Sequence, residues 1–178
     1  MTNEYLIAGF GGQGLLFAGK FLVNKGMMEG KEVSWLPSYG PEMRGGTASC
    51  SVIISDEPVG SPIVSKPDVL MVMNLPSLDK YENEVKAGGK IFVDSSLIDR
   101  KVQRTDVEAY YVPATQLASD NGLSGLANMI LAGKLMKELG DFDDEEAVVD
   151  SLKKVVSVKH PEMFEKNLQA LKLGRDYE

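Results

Sequence analysis

The chain of 178 residues is long enough for one compact domain with a substantial core, and short for an enzyme with separate cofactor and substrate domains. Its formal net charge of −7 argues against a nucleic-acid-binding protein, because contacts to phosphates need a basic surface. A single cysteine, Cys50, and a single histidine, His160, exclude a disulfide framework and a Cys/His metal site. An iron–sulfur cluster normally takes four thiolates, so we expect this chain to hold none of its own.

The distribution of apolar residues indicates a soluble protein. No apolar run is long enough to span a bilayer, and the N-terminus carries Asn3 and Glu4 rather than the basic patch of a secretory signal. We therefore expect a cytoplasmic protein without membrane contacts.

Strands and helices are predicted to alternate along the chain. Strands are predicted at residues 5–8, 32–36, 47–55, 68–73, 90–94 and 109–112. Helices are predicted at residues 14–28 and 76–85, from residue 122 onward, from the acidic run 143–146 that opens the next helix, and from Pro161. Residues 37–46, rich in glycine and proline, are predicted to form a loop. This order predicts an α/β fold: one three-layer α/β/α domain over residues 1–178, with a mostly parallel sheet and a Rossmann-like first β-α unit.

The sequence GFGGQG begins where the first predicted strand ends. Gly9, Gly11 and Gly14 have the spacing G-x-G-x-x-G between a strand and a helix, which is the setting in which nucleotides bind. A nicotinamide site also needs an acidic residue at the end of the second strand, about 20 residues further on, and Trp35 and Leu36 end that strand instead. Two interpretations stay open, a phosphate-bearing ligand or close packing and subunit docking, and we favour the second.

The sequence SYGPEMRGGTASC forms a second candidate segment. Tyr39, Glu42 and Arg44 belong to residue types that anchor interfaces or clamp anionic groups, although an internal ion pair and a buried tyrosine would also explain them. The segment follows the second strand, so in a parallel sheet it should lie beside the glycine loop. No catalytic residue or metal ligand is predicted. The candidate ligand or subunit contacts are Gly9, Gly11, Gly12, Gln13, Gly14, Ser38, Tyr39, Gly40, Glu42, Arg44, Gly45, Gly46 and Thr47.

Three segments, GFGGQG, VSWLPSYGPEMRGGTASCSVIIS and PDVLMVMNLPSLDKY, together resemble the gamma subunit of the 2-oxoacid:ferredoxin oxidoreductases. The likeness extends over residues 5–139, and SWLPSYGPEMRGGTA is more similar to the 2-oxoglutarate type than to the pyruvate type. The resemblance implies a heteromeric enzyme in which a 2-oxoacid, coenzyme A and oxidised ferredoxin give an acyl-CoA, carbon dioxide and reduced ferredoxin.

The same resemblance implies which subunits hold the cofactors. Thiamine diphosphate and Mg²⁺ would lie between alpha and beta subunits, with iron–sulfur clusters in beta or in a ferredoxin-like delta subunit. The gamma subunit would then support assembly and the active site, bind no cofactor by itself and be inactive alone. This subunit would interact with ferredoxin and coenzyme A through the assembled complex. Self-association of the isolated chain stays an open question.

Two other classes of function also stay open. The first is an autonomous NAD(P)- or flavin-dependent enzyme, which would need the missing residue of the ribose site. The second is a binding module for coenzyme A or an adenine nucleotide.

Overall fold

The computed structural model describes residues 1–38 and 47–178. Within these residues the strands are β1 (Thr2–Gly9), β2 (Glu32–Ser38), β3 (Ala48–Ser55), β4 (Val69–Val72), β5 (Lys90–Asp94) and β6 (Glu108–Val112). The helices are α1 (Leu15–Met28), α2 (Leu75–Tyr81), α3 (Ala114–Asp120), α4 (Ala127–Leu139), α5 (Glu145–Val155) and α6 (Pro161–Asp176), with a 3₁₀ turn at Glu82–Glu84. The strands form one sheet in the order β2-β3-β1-β4-β5-β6.

Strand β3 is the exception in a parallel sheet. Strands β1, β4, β5 and β6 pair in parallel, whereas β3 is antiparallel to both β1 and β2. Because β2 and β1 both oppose β3, they run in the same direction. The prediction of a mostly parallel sheet is therefore confirmed.

The second strand is longer than predicted. Pro37 and Ser38 were expected in the loop, but they extend β2 and pair with Cys50 and Ser49 of β3. Proline is tolerated here because β2 is an edge strand, where a missing backbone donor costs little.

Helices cover both faces of the sheet. Successive strand residues point to opposite faces, so Ile7 joins a large core with Phe21 of α1 and Ile130 of α4. Its neighbour Leu6 joins a smaller core with Leu78 of α2 on the other face. The predicted three-layer architecture is confirmed.

Helix α3 was not predicted. Its sequence, ATQLASD, is short and mostly polar, and the fully buried side chains are the small Ala114 and Ala118. Two alanines one turn apart give too weak an apolar stripe to reveal a helix. The predicted helix from residue 122 begins at Ala127, after a turn.

Cys50 lies in the centre of the larger core. Its side chain is fully buried in β3, and this burial raises the pKa of the thiol to about 12. Cys50 therefore serves as a small apolar core residue, as its β-branched surroundings predict. In the part of the chain that the structure describes, no helix is long and apolar enough to cross a membrane.

Candidate functional site

Residues 9–14, the glycine loop, connect β1 to α1 at the carboxyl edge of the parallel strands. Gly12 and Gly14 have φ angles of +89° and +74°, a left-handed conformation that other residues rarely adopt. Gly14 is the N-cap of α1, and no side chain caps this helix. At Gly9, a Cβ atom would collide with the Gln13 side chain and lie 3.1 Å from Cβ of Met73. Backbone conformation therefore explains the glycines at positions 12 and 14, and the close approach of neighbouring side chains explains the glycine at position 9.

Gln13 fixes the first half of the glycine loop. Its Oε1 accepts a hydrogen bond from the Phe10 amide at 2.6 Å, and its Nε2 donates to the Met73 carbonyl at 3.0 Å. Met73 directly follows β4, so this side chain joins the loop to the neighbouring strand. Both ends of the Gln13 amide are engaged within the chain, which gives this candidate contact residue an internal role.

Asn128 fixes the second half of the loop. It lies in the first turn of α4, is 3% exposed, and donates from Nδ2 to the Gly14 carbonyl at 2.9 Å. A Cβ atom at Gly14 would lie 2.5 Å from this Nδ2. Sequence reasoning missed Asn128 because it lies 114 residues from Gly14, and no local motif marks it.

A cavity of about 370 Å³ lies on the β2 and β3 side of the loop. Gly9 pairs with Ala48 of β3, and Ser38 at the end of β2 pairs with Ser49, so the ends of three strands meet here. The described residues that line this cavity are uncharged: Phe10, Gly11, Gly12, Gly14, Leu15, Leu16, Phe17, Ser38, Ala48 and Ser49. The structure thus brings Ser38 to the same cavity as the glycine loop.

A second cavity, of about 420 Å³, lies on the β4 side of the loop. Its described lining is also uncharged: Gly12, Gln13, Met73, Leu97, Thr115, Ala118, Ser119, Ser124, Gly125 and Ala127. Phe10, which lines the first cavity, and Leu97, which lines the second, are 44% and 48% exposed.

Asp94 is a buried carboxylate at the same edge, at the end of β5. It accepts hydrogen bonds from the Ser96 amide at 3.1 Å, the Thr115 amide at 3.4 Å and the Thr115 hydroxyl at 2.6 Å. These bonds attach the start of α3 to the sheet. The Asp94 carboxylate therefore has hydrogen-bond partners within its own chain.

The remaining candidate residues fall into two groups. Thr47 is half-buried and directly precedes β3. Tyr39, Gly40, Glu42, Arg44, Gly45 and Gly46 lie outside the described residues. At the end of β2, Leu36, Pro37 and Ser38 stand where a nicotinamide site needs an acidic side chain. Within residues 1–38 and 47–178, no three histidine, cysteine, aspartate or glutamate side chains group closely enough to hold a metal ion.

Two curated relatives are similar to nearly the whole chain. Ketoisovalerate oxidoreductase subunit VorA of Methanothermobacter marburgensis is 41% identical over 171 residues, which cover 96% of this chain and 35% of VorA. The chain thus spans about a third of the length of that relative. The 2-oxoglutarate synthase subunit KorC of Methanocaldococcus jannaschii is 36% identical over 178 residues, which cover 97% of this chain and 95% of KorC.

The fold is also that of a solved structure, the gamma subunit of a keto/oxoacid ferredoxin oxidoreductase from Geobacter sulfurreducens. The two superpose with a TM-score of 0.83 at 28% identity, over 98% of this chain and 96% of that one. The family model described as pyruvate ferredoxin/flavodoxin oxidoreductase matches residues 4–177. These matches confirm the resemblance found in the sequence, and the chain belongs to the pyruvate ferredoxin/flavodoxin oxidoreductase family.

Proposed function

We propose that this chain is the gamma subunit of a 2-oxoacid:ferredoxin oxidoreductase, and that it supports assembly and the active site without carrying the chemistry. The complete enzyme would convert a 2-oxoacid, coenzyme A and oxidised ferredoxin into an acyl-CoA, carbon dioxide and reduced ferredoxin. The similarity to KorC carries this proposal, because KorC and the present chain match over almost their full lengths.

The geometry of the glycine loop favours docking of another subunit. Gln13 and Asn128 hold the loop from two sides, so its backbone has a defined shape before any partner arrives. Phe10, within the loop, is exposed, and the described linings of both cavities carry no charge. Interfaces use such apolar, shape-defined patches as their centres, whereas a dinucleotide needs groups that hold its ribose hydroxyls.

The proposal extends to the partners and their cofactors. Alpha and beta subunits, and in some complexes a delta subunit, would surround this chain, and those subunits would hold thiamine diphosphate, Mg²⁺ and the iron–sulfur clusters. We propose 2-oxoglutarate as the 2-oxoacid, since KorC, which matches this chain over nearly its full length, is a 2-oxoglutarate synthase subunit. Residues 1–178 would form one gamma-type domain that works in the cytoplasm.

Calorimetry on the isolated chain separates this proposal from an autonomous enzyme or ligand-binding module. We expect no heat of binding with NAD, FAD or coenzyme A, because the end of β2 carries no acidic side chain and the polar groups of Gln13 are engaged internally. Binding of NAD with micromolar affinity would instead support the alternative that the chain is an autonomous dehydrogenase. A saturable heat with coenzyme A would instead support the binding module.

A further inference from the structure

Asn121 and Gly122 form the single Asn-Gly pair in the sequence. They lie where α3 ends, and both residues are exposed. An asparagine that precedes glycine is prone to spontaneous deamidation, because glycine has no side chain to shield its backbone nitrogen from the neighbouring carboxamide. The pair therefore has a chemistry of its own, outside the function proposed above.

The folded chain holds this pair in an unreactive conformation. Deamidation begins when the Gly122 nitrogen approaches Cγ of Asn121. With ψ of 12° at Asn121, the Gly122 nitrogen is nearly eclipsed with the Asn121 nitrogen and is turned away from Cβ. Nδ2 of Asn121 also donates a hydrogen bond to the Leu117 carbonyl at 2.8 Å, which directs the carboxamide back along α3. The reacting atoms cannot meet in this conformation.

Hydrogen bonds at the end of α3 maintain this conformation. Gly122 has φ of +68°, and its amide donates to the Ser119 carbonyl at 3.4 Å. The Leu123 amide donates to the Ala118 carbonyl at 2.8 Å. Together these features form a Schellman motif, in which a left-handed glycine directly follows the helix. The Leu123 side chain is 2% exposed and packs in the larger core, so Asn121 can react only when the last turn of α3 opens.

We propose that Asn121 is a deamidation site that becomes reactive when the last turn of α3 opens, and that the reaction then keeps this turn open. In the open turn, the Gly122 nitrogen forms a bond to Cγ of Asn121. The Cγ–Nδ2 bond breaks, and Nδ2 leaves as ammonia with the proton of the Gly122 amide. The resulting succinimide adds one water molecule at either carbonyl, which gives aspartate or isoaspartate. No enzyme, oxidant or cofactor is required.

Neither product restores the original end of α3. The aspartate product has an oxygen where Nδ2 donated to the Leu117 carbonyl, and its charge lies next to Asp120 at the carboxyl end of the helix, where a negative charge is unfavourable. The isoaspartate product lengthens the backbone by one carbon, so the hydrogen bonds of Gly122 and Leu123 no longer align. Because Ser119 lines the second cavity, lasting opening of this turn changes the wall of that cavity.

Asn24 in α1 provides a matched control within the chain. Its Nδ2 donates to the Lys20 carbonyl, four residues earlier, at 2.8 Å, as Nδ2 of Asn121 does to the Leu117 carbonyl. The residue after Asn24 is Lys25 rather than glycine, and the lysine side chain hinders the same attack. Asn24 should therefore keep its amide under conditions in which Asn121 loses it.

Peptide mass spectrometry tests the reaction on the full chain, incubated at mildly alkaline pH with and without guanidinium. We expect Asn121 to deamidate at least about tenfold faster in guanidinium than in the folded chain, because local opening limits the rate in the folded chain. Asn24 should lose its amide much more slowly than Asn121 in guanidinium. Asn121→Gln should lose the reaction at this position, since a glutamine side chain would have to close a larger ring.

Hydrogen exchange of the folded variants tests the consequence. In Asn121→Asp, the amides of Gly122 and Leu123 should exchange about tenfold faster than in the wild type, because the turn stays open. In the control Asn24→Asp, these two amides should exchange at the wild-type rate.

The outcomes that would overturn the proposal are distinct. Equal rates of deamidation in the folded and the unfolded chain would exclude protection by the turn, and an intact Asn121 in guanidinium would exclude the site. Unchanged exchange of Gly122 and Leu123 in Asn121→Asp would exclude lasting opening of α3. None of these measurements involves a partner subunit, so the proposal can fail or succeed independently of the proposed function.

Discussion

Alanine at Gly174 should destabilise the isolated chain by about 3 kcal/mol, because α4 and α6 cross in backbone contact at this point. A Cβ atom there would overlap the Ile130 carbonyl oxygen and lie 2.7 Å from the Ile130 carbonyl carbon. On the facing helix, a Cβ atom at Gly133 would overlap the Leu171 carbonyl oxygen in the same way. Backbone atoms cannot rotate aside as side chains do, so either alanine must push α6 away from the core.

Guanidinium denaturation followed by circular dichroism measures the effect. Gly60→Ala is the matched control, since Gly60 has open space around it and does not have a left-handed backbone conformation. Alanine at such a position stabilises slightly, by at most about 1 kcal/mol. If Gly174→Ala and Gly60→Ala unfold at the same guanidinium concentration, close contact between the two helices is not required for stability.

Valine at Gly14 should both destabilise the chain and prevent its association with partner subunits. The left-handed φ of +74° is strained for a β-branched residue, and the added atoms would displace the Asn128 amide from the Gly14 carbonyl. The glycine loop would then lose one of its two anchors and change shape. Denaturation of the isolated chain and co-purification with the alpha and beta subunits provide the two measurements.

A control variant, Gly30→Val, separates the effect of backbone strain from the effect of displacing the Asn128 amide. Gly30 has nearly the same backbone conformation, with φ of +78°, but no heavy atom lies within 4 Å of its Cβ position. We expect a loss of about 1–3 kcal/mol from backbone strain alone, with normal association. The free energy of unfolding should fall further in Gly14→Val than in Gly30→Val. Normal co-purification of Gly14→Val would contradict docking through the glycine loop.

Much of the fold could be predicted because local physical signals agree with the tertiary structure. The apolar runs at residues 68–73 and 90–94 become β4 and β5, which are buried between helices on both faces. Glycine at residue 14 and acidic residues at 143–146 mark the starts of α1 and α5. The antiparallel direction of β3 has no such local signal, because it depends on pairing between Gly9 and Ala48.

The candidate site could be predicted only in part, for the same reason. Glycine spacing reveals the loop, since its conformation depends on the residues within it. The anchors of the loop depend on distant partners: Gln13 reaches Met73, 60 residues away, and Asn128 reaches Gly14 from 114 residues away. A glutamine within a glycine motif looks like a ligand contact until the carbonyl that it binds is known.

Reconstitution of the complex with and without this chain tests the central claim most directly. Alpha and beta subunits would be expressed with the wild-type chain or without it, and the isolated chain would be assayed beside them for viologen reduction with 2-oxoglutarate and coenzyme A. We expect the chain to co-purify with its partners, turnover to require its presence, and the isolated chain to show none. Turnover by the isolated chain, or a fully active complex that lacks it, would contradict the account.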